Sequence, residues 1–240
     1  MASPWYDFLE EVRVARDKLG NPTVVWYRGH SSSQWNLIPG LHRSPGFSSK
    51  EQALFAEFQK SAARLFRKPD NDWETLFDMQ HYGIPTRLLD WTEALGVALA
   101  FAVLDHHPSY GNPALWVLDP AGLNRKSGLV GVKTVPSDAF DYKAVYWKNV
   151  PFAANFPIAI DSSSLPNDRM SVQKGTFTVH GIDGRAIEEV CPDVIVKIEL
   201  PQSALDGARE FLDYAAINSF AIYPDIVGMA RHIRRKHLGE

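Results

Sequence analysis

His81-Tyr82-Gly83-Ile84-Pro85-Thr86-Arg87-Leu88-Leu89-Asp90-Trp91-Thr92, residues 81–92, is the stretch around which the rest of the chain is read. Before it, a helix starts at Asp72 and ends ahead of Gly83. After it, Thr92 caps a helix whose body, Ala94–Leu104, is apolar on nearly all sides and so belongs at the centre of a domain. Between the two helices the stretch reads as a rigid connector. Gly83 and Pro85 fix its backbone, and Arg87 can pair with Asp90. A connector has no need of His81 or Arg87, however, and Tyr82 or Trp91 could stack on a base or sugar.

Outward from this stretch, helices and strands mix without regular alternation. Ser3-Pro4 reads as an N-cap with proline at the first helical position, followed by Trp5, Phe8, Leu9, Val12 and Leu19 at near-helical spacing. Thr23–Arg28 is β-branched and aromatic and predicts a strand, with a loop over His30–Arg43. Ser49 and Gln52 form a capping box ahead of a helix burying Leu54, Phe55, Phe58, Ala62, Leu65 and Phe66. Ala114–Asp119, Thr176–His180 and Val194–Leu200 predict strands, and Phe220–Tyr223 a short one. Ser203 caps a helix burying Leu205, Ala208, Phe211, Leu212 and Ala215. The last helix starts at Asp225, turns Ile226, Met229, Ala230 and Ile233 inward, and ends in basic residues that suit its C-terminus. Residues 120–168 show no sustained period. The pattern contains no repeat or linker. It predicts one domain over 1–240 of the α+β class, with a central mixed or antiparallel sheet and flanking helices.

The chain has 240 residues, 45% hydrophobic and 22% charged, with a net charge of −3 and a pI near 6.2. That balance suits a globular core and does not suggest a protein that coats nucleic acid through bulk charge, while leaving room for a local basic groove. The single cysteine, Cys191, leaves no internal disulfide and no cysteine metal site. A reducing, cytoplasmic setting is expected. The N-terminus lacks the basic and apolar regions of a signal peptide, and the Ala94–Leu104 run is too short to span a bilayer, so no membrane partner is expected. There is no HExxH, no phosphate-binding Walker loop and no His/carboxylate cluster at ligand spacing, so no metal is expected either.

Four segments could carry chemistry. In Trp26-Tyr27-Arg28-Gly29-His30, an arginine at the end of an apolar strand needs partners. Its planar fork suits phosphate or carboxylate, and Gly29 lets the backbone turn and a ligand approach. The competing reading ties Arg28 to an internal aspartate at the sheet edge. Residues 81–92 are the second segment. The third is Asn167–Phe177, where Arg169 and Gln173 can hydrogen-bond, or which forms a surface loop turning at Lys174-Gly175. The fourth is Tyr223-Pro224-Asp225, where Asp225 serves as a catalytic carboxylate or as an N-cap.

Together these segments, with Leu37-Ile38-Pro39-Gly40-Leu41-His42-Arg43, resemble the FRG domain, a bacterial and phage-associated family named for its (Phe/Tyr)-Arg-Gly motif. The matching features run in order from residue 27 to residue 225. A strand ending in Tyr-Arg-Gly is also similar to the first motif of arginine-type ADP-ribosyltransferases, in which the arginine holds NAD. That likeness implies an ADP-ribosyltransferase-like fold and NAD as substrate. Arg28 is then the NAD anchor, and catalytic roles are expected for Arg28, His81, Glu199 and Asp225. NAD contacts are expected from Tyr27, Arg28, Gly29, Tyr82, Thr86, Arg87, Trp91, Arg169 and Gln173. Asp90 is an alternative carboxylate. The chain departs from that pattern in two places. Ser162-Ser163-Ser164 only loosely replaces the serine motif, and Lys197-Ile198-Glu199 is the nearest match to the glutamate motif. The implied activity is ADP-ribosyl transfer to nucleic acid or protein, as a toxin or antiphage effector with an antitoxin partner. The rival expectation is a non-catalytic module that binds a nucleotide or nucleic acid. A third is a metal-free hydrolase using His81 with Asp90.

Overall fold

The computed structural model describes residues 3–62, 65, 69–137, 140–148, 156–161 and 173–239. The expected Ser162–Ser164 and Arg169 positions, and Phe66, lie outside the described residues.

Among the described residues the centre is a seven-stranded sheet in the order β4-β5-β6-β2-β1-β3-β7. Its strands are β1 (Trp26–His30), β2 (Leu88–Thr92), β3 (Ala114–Leu118), β4 (Lys133–Thr134), β5 (Ile158–Asp161), β6 (Gly175–Val179) and β7 (Ile195–Glu199). The β4–β5 pair is parallel and the other pairs are antiparallel. The class is α+β with a mixed open sheet, as expected.

The helices are α1 (Pro4–Lys18), α2 (Phe47–Ala62), α3 (Asp72–His81), α4 (Leu95–Val103), α5 (Pro120–Lys126), α6 (Tyr142–Tyr146), α7 (Ile187–Val190), α8 (Leu205–Tyr214), α9 (Ser219–Ile222) and α10 (Ile226–Leu238). Strand alternation explains how they are distributed. One sheet face presents Tyr27 and Gly29 of β1 and Leu88, Asp90 and Thr92 of β2. Two helix groups cover it. Over β1, β3 and β7, helices α1, α4 and α8 bury Phe8, Val12, Ala98, Leu99, Leu205 and Leu212. Over β2, β5 and β6, helices α2, α3 and α6 bury Phe55, Trp73, Leu76, Phe77 and Tyr142. The opposite face is a third cluster built on Trp26, Leu89, Trp91, Trp116 and Leu118, covered by Leu123 of α5 and Ile187 of α7.

The connector expectation for residues 81–92 is corrected, because Leu88–Thr92 is a central strand. Leu88, Leu89, Trp91 and Thr92 are all buried. A strand buried on both faces shows no polar alternation, so its signal is hidden. Thr92 therefore ends β2 rather than capping α4 as its N-cap, although its Oγ1 still accepts from Ala94 N at 3.0 Å. His30 belongs to β1 and pairs with Ala114, so it is not in a loop.

Phe220–Tyr223 is a helical turn rather than a strand, because the Asn218 side chain accepts from the amides of Phe220 and Ala221. Ser203 sits in a 3-10 turn ahead of α8, and Ala215 is exposed. Leu65, expected to be buried, lies beyond the end of α2 and is exposed. In the unreadable region after residue 119, Asp119 caps α5 by accepting from Gly122 N at 2.8 Å. On α10 the expected inward face is also corrected. Ile226, Met229 and Ile233 are 79%, 41% and 49% exposed, because the helix rests on its opposite side, where Gly228 is buried. Among the described residues no helix is long and apolar enough to cross a membrane.

Candidate functional site

Strands β1 and β2 share a single registered pair, Tyr27 with Thr92. Each has five registered pairs with its other neighbour. The two strands therefore part on the Arg28 and Asp90 side of this pair, at the line where the two helix groups also separate. A cavity of about 220 Å³ lies at this seam. It is lined by Tyr27, Arg28, Gly29, Asp90, Trp91 and Thr92 of the sheet, Phe77, Gln80 and His81 of α3, Ala98 and Phe101 of α4, and Gln173, Phe177 and Tyr223.

Arg28 stands on the face opposite α4, beside Trp26 and His30. Where the strands part, its side chain reaches across the gap. One terminal nitrogen donates to the Asp90 carbonyl at 2.5 Å, an acceptor that an intact β1–β2 ladder would otherwise satisfy. The same nitrogen is 3.7 Å from Asp90 Oδ2. The Nε donates to His30 Nε2 at 3.0 Å. Burial lowers the Arg28 pKa, Asp90 opposes the shift, and Arg43 adds to it. The guanidinium remains a cation, with about a fifth of its side chain exposed. The competing reading, an arginine tied to an internal aspartate at the sheet edge, holds only in the pairing: Asp90 is exposed and β1 is an interior strand, and the cavity lies beside that pair.

A relay holds Asp90. Thr86 Oγ1 donates to Gln80 Oε1 at 2.6 Å, and Gln80 Nε2 donates to Asp90 Oδ2 at 2.9 Å. Thr86 thus acts on the cavity through Gln80 and does not line it. Trp91 lines the wall and is fixed by its Nε1 donating to Thr178 Oγ1 at 3.1 Å. Gln173 is tied on two sides. Its carbonyl accepts from Thr92 Oγ1 at 2.6 Å, and its Nε2 donates to the Ile222 carbonyl at 2.7 Å.

Several expected site residues fall elsewhere. Arg87 is buried away from the cavity in an ion pair with Glu51, its Nε donating to Glu51 Oε1 at 2.6 Å. It also donates to the His180 carbonyl at 2.7 Å and packs 4.7 Å from the Tyr146 ring. Burial works against its charge, yet Glu51 keeps its pKa raised. Arg87 therefore pairs with Glu51, and Asp90 with Arg28, in place of the expected Arg87–Asp90 pair. Glu199 sits at the end of edge strand β7, exposed, opposite Ala114. Asp225 is the N-cap of α10, accepting from Gly228 N at 2.7 Å. Tyr82 is 52% exposed and outside the cavity lining. Gly29 does line the cavity, but its missing side chain serves α4. A Cβ there would lie 1.9 Å from the Ala98 carbonyl oxygen. It is a packing glycine in a strand and makes no turn.

The structure brings together Tyr27, Arg28, Gly29, His81, Trp91 and Gln173 from the expected set. It also brings in Asp90, the alternative carboxylate, and adds Phe77, Gln80, Phe101, Phe177 and Tyr223. Phe77, Gln80 and His81 share one face of α3 at i, i+3 and i+4, a spacing that was open to reading. Among the described residues no cluster of three or more His, Cys, Asp or Glu could hold a metal.

The family model of the FRG domain matches residues 23–110. The chain carries an FRG domain. The matched stretch includes β1, α2, α3, β2 and α4, and it supplies the cavity wall from Tyr27 through Phe101. Gln173, Phe177 and Tyr223 complete the FRG cavity from outside the matched residues. No curated protein and no solved structure matches the chain.

Proposed function

We propose that the chain is an NAD-dependent ADP-ribosyltransferase-like enzyme acting on a macromolecule. The observation that carries this reading is the Arg28 guanidinium at a split in the sheet, beside a cavity walled by Phe77, Trp91, Phe101, Phe177 and Tyr223. Fixed positive charge suits a pyrophosphate, and the ring-lined space suits a flat nicotinamide. At about 220 Å³ the cavity holds one ring, so the rest of the dinucleotide would extend along its mouth.

On this reading Asp90 replaces Glu199 as the carboxylate beside the ribose. The bond from the ribose anomeric carbon to the nicotinamide nitrogen breaks, and its electron pair leaves with nicotinamide. The oxocarbenium-like sugar, stabilised by Asp90, is captured by a nucleophile of the target. On this reading His81, which lines the cavity, takes the nucleophile's proton.

The test is incubation of the folded protein with NAD and a panel of nucleic acids and proteins. Nicotinamide release and label transfer are expected. Neither NAD binding nor turnover by folded wild type would contradict the reading. A second reading, a nucleotide-binding module without turnover, is favoured by the small cavity and by the existing Arg28–Asp90 contact. It predicts binding without nicotinamide release.

A further inference from the structure

Helix α10 presents a polar side to its own chain and an apolar side to solvent. Ile226, Met229, Ala230 and Ile233 follow the i, i+3, i+4, i+7 spacing of a docking stripe, and all four are exposed. Gly228 is the residue the helix buries. His232, Arg235 and Lys236 point the other way, into a groove of about 680 Å³ shared with α8 and the end of α4. Seven of the fifteen large hydrophobic residues exposed among the described residues fall within residues 214–238, so exposed apolar surface is gathered at this corner rather than scattered. Tyr214 of α8 and Phe220 of α9 belong to it.

Charge divides between the same two helices. Helix α8 carries Asp206, Glu210 and Asp213 against one cation, Arg209. Helix α10 carries four arginine and lysine residues and no acid. Asp105 faces two of them, Arg231 at 3.7 Å and Arg235 at 4.0 Å. The corner is thus close to balanced, acidic on one helix and basic on the other. A polyanion or an anionic bilayer laid over it would meet the α8 acids. Two α10 stripes packed on each other would set cation against cation. Opposite signs on neighbouring helices are complementary to themselves under a two-fold axis, where each helix meets the other helix of a second copy.

We infer that this corner is the contact between two copies of the chain. The α10 stripe of each copy is seated on α8 of the other, its cations beside the partner's Glu210 and the partner's Asp213. The contact is joined to the Arg28 cavity. Tyr223 lines that cavity, and a Cβ at Gly228 would lie 1.9 Å from the Tyr223 carbonyl oxygen. A second copy on α10 therefore braces one cavity wall. The pairing does not depend on the proposed transfer reaction.

The experiment is light scattering coupled to size exclusion on the full chain, over a range of micromolar loadings. Wild type is expected at twice the 26.9 kDa of one chain. Two double variants at exposed positions test the two halves of the contact, Ile226→Glu/Ile233→Glu on α10 and Glu210→Lys/Asp213→Lys on α8. Each is expected to weaken the dimer at least ~10-fold while its circular dichroism stays that of wild type. Wild type that keeps the mass of one chain at every loading, or a dimer that either folded variant leaves intact, overturns the inference. A mass that climbs past two chains would mean a head-to-tail contact and overturns the two-fold arrangement. A monomer that co-sediments with phosphatidylglycerol vesicles assigns the stripe to a lipid surface, which also overturns it.

Discussion

The Nε of Arg28 donates to Nε2 of His30 at 3.0 Å, and that bond fixes the histidine's tautomer. An arginine nitrogen cannot accept, so His30 Nε2 carries no proton and Nδ1 does. Nδ1 then donates to the Trp35 carbonyl at 3.2 Å. Trp116 Nε1, 3.3 Å from the same Nδ1, cannot donate to it in this state. Burial first, and the Arg28 charge next, push the His30 pKa down to about 3. Protonating His30 would set two cations side by side and release Arg28 from one of its two anchors.

A pH dependence of stability follows. Burial also pushes His42 down to about 4, and burial together with His42 and Arg87 holds His180 well below its ordinary value. All three are neutral in the fold and protonate near 6.5 when unfolded. Below that pH the unfolded chain binds more protons. Stability is therefore full above about pH 6.5 and falls as pH drops toward the folded values, by up to about 1.4 kcal/mol per pH unit for each histidine. Urea midpoints at about pH 7.5, 6 and 4.5 should decline steadily. A flat profile between the first two and the third would contradict the assignment.

Glu51 and Arg87 are both nearly fully buried, and Tyr142 Oη also donates to Glu51 at 2.5 Å. Removing one charge strands the other. Glu51→Ala or Arg87→Ala should cost about 3–5 kcal/mol, and the paired replacement Glu51→Leu/Arg87→Met should cost less than the sum of the singles. Denaturant unfolding reads both.

Gly29→Ala places a methyl 1.9 Å from a helix carbonyl. Neither β1, paired along its length with β3, nor α4 can yield cheaply. The expected loss is at least ~3 kcal/mol, seen as a large drop in urea midpoint or as insoluble protein. A shift below about 1 kcal/mol would mean that α4 does not pack on β1 this closely.

Gln80 reaches Asp90 from α3. Gln80→Ala should cost only about 0.5–1.5 kcal/mol of stability yet weaken NAD binding several-fold, because Asp90 and with it Arg28 lose their fixed position. Calorimetric titration beside a thermal melt distinguishes a positioning effect from partial unfolding.

The sequence made some of this legible. The all-apolar Ala94–Leu104 pattern placed α4 in the interior of the domain, where most of it is buried, and Tyr27-Arg28-Gly29 marked the strand where the cavity lies. Residues 81–92 also marked the site, for a reason that was hidden. Leu88–Thr92 is buried on both faces and looks the same as a packed connector until its partners are known. Glu51 could not be foreseen as the partner of Arg87, because the two are 36 positions apart, although helical spacing puts Glu51 on the buried face of Phe55 and Phe58. The α10 stripe shows the converse, since an apolar period reports a face seeking burial and does not say whether this chain supplies the cover.

The most direct test of the account is calorimetric titration of NAD into wild type, Arg28→Lys and Arg28→Ala, each shown to be folded by circular dichroism. The account predicts saturable binding by wild type, weaker binding by Arg28→Lys, which keeps the charge and loses the fork, and none by Arg28→Ala. Equal affinity in all three, or no binding by any, would contradict it.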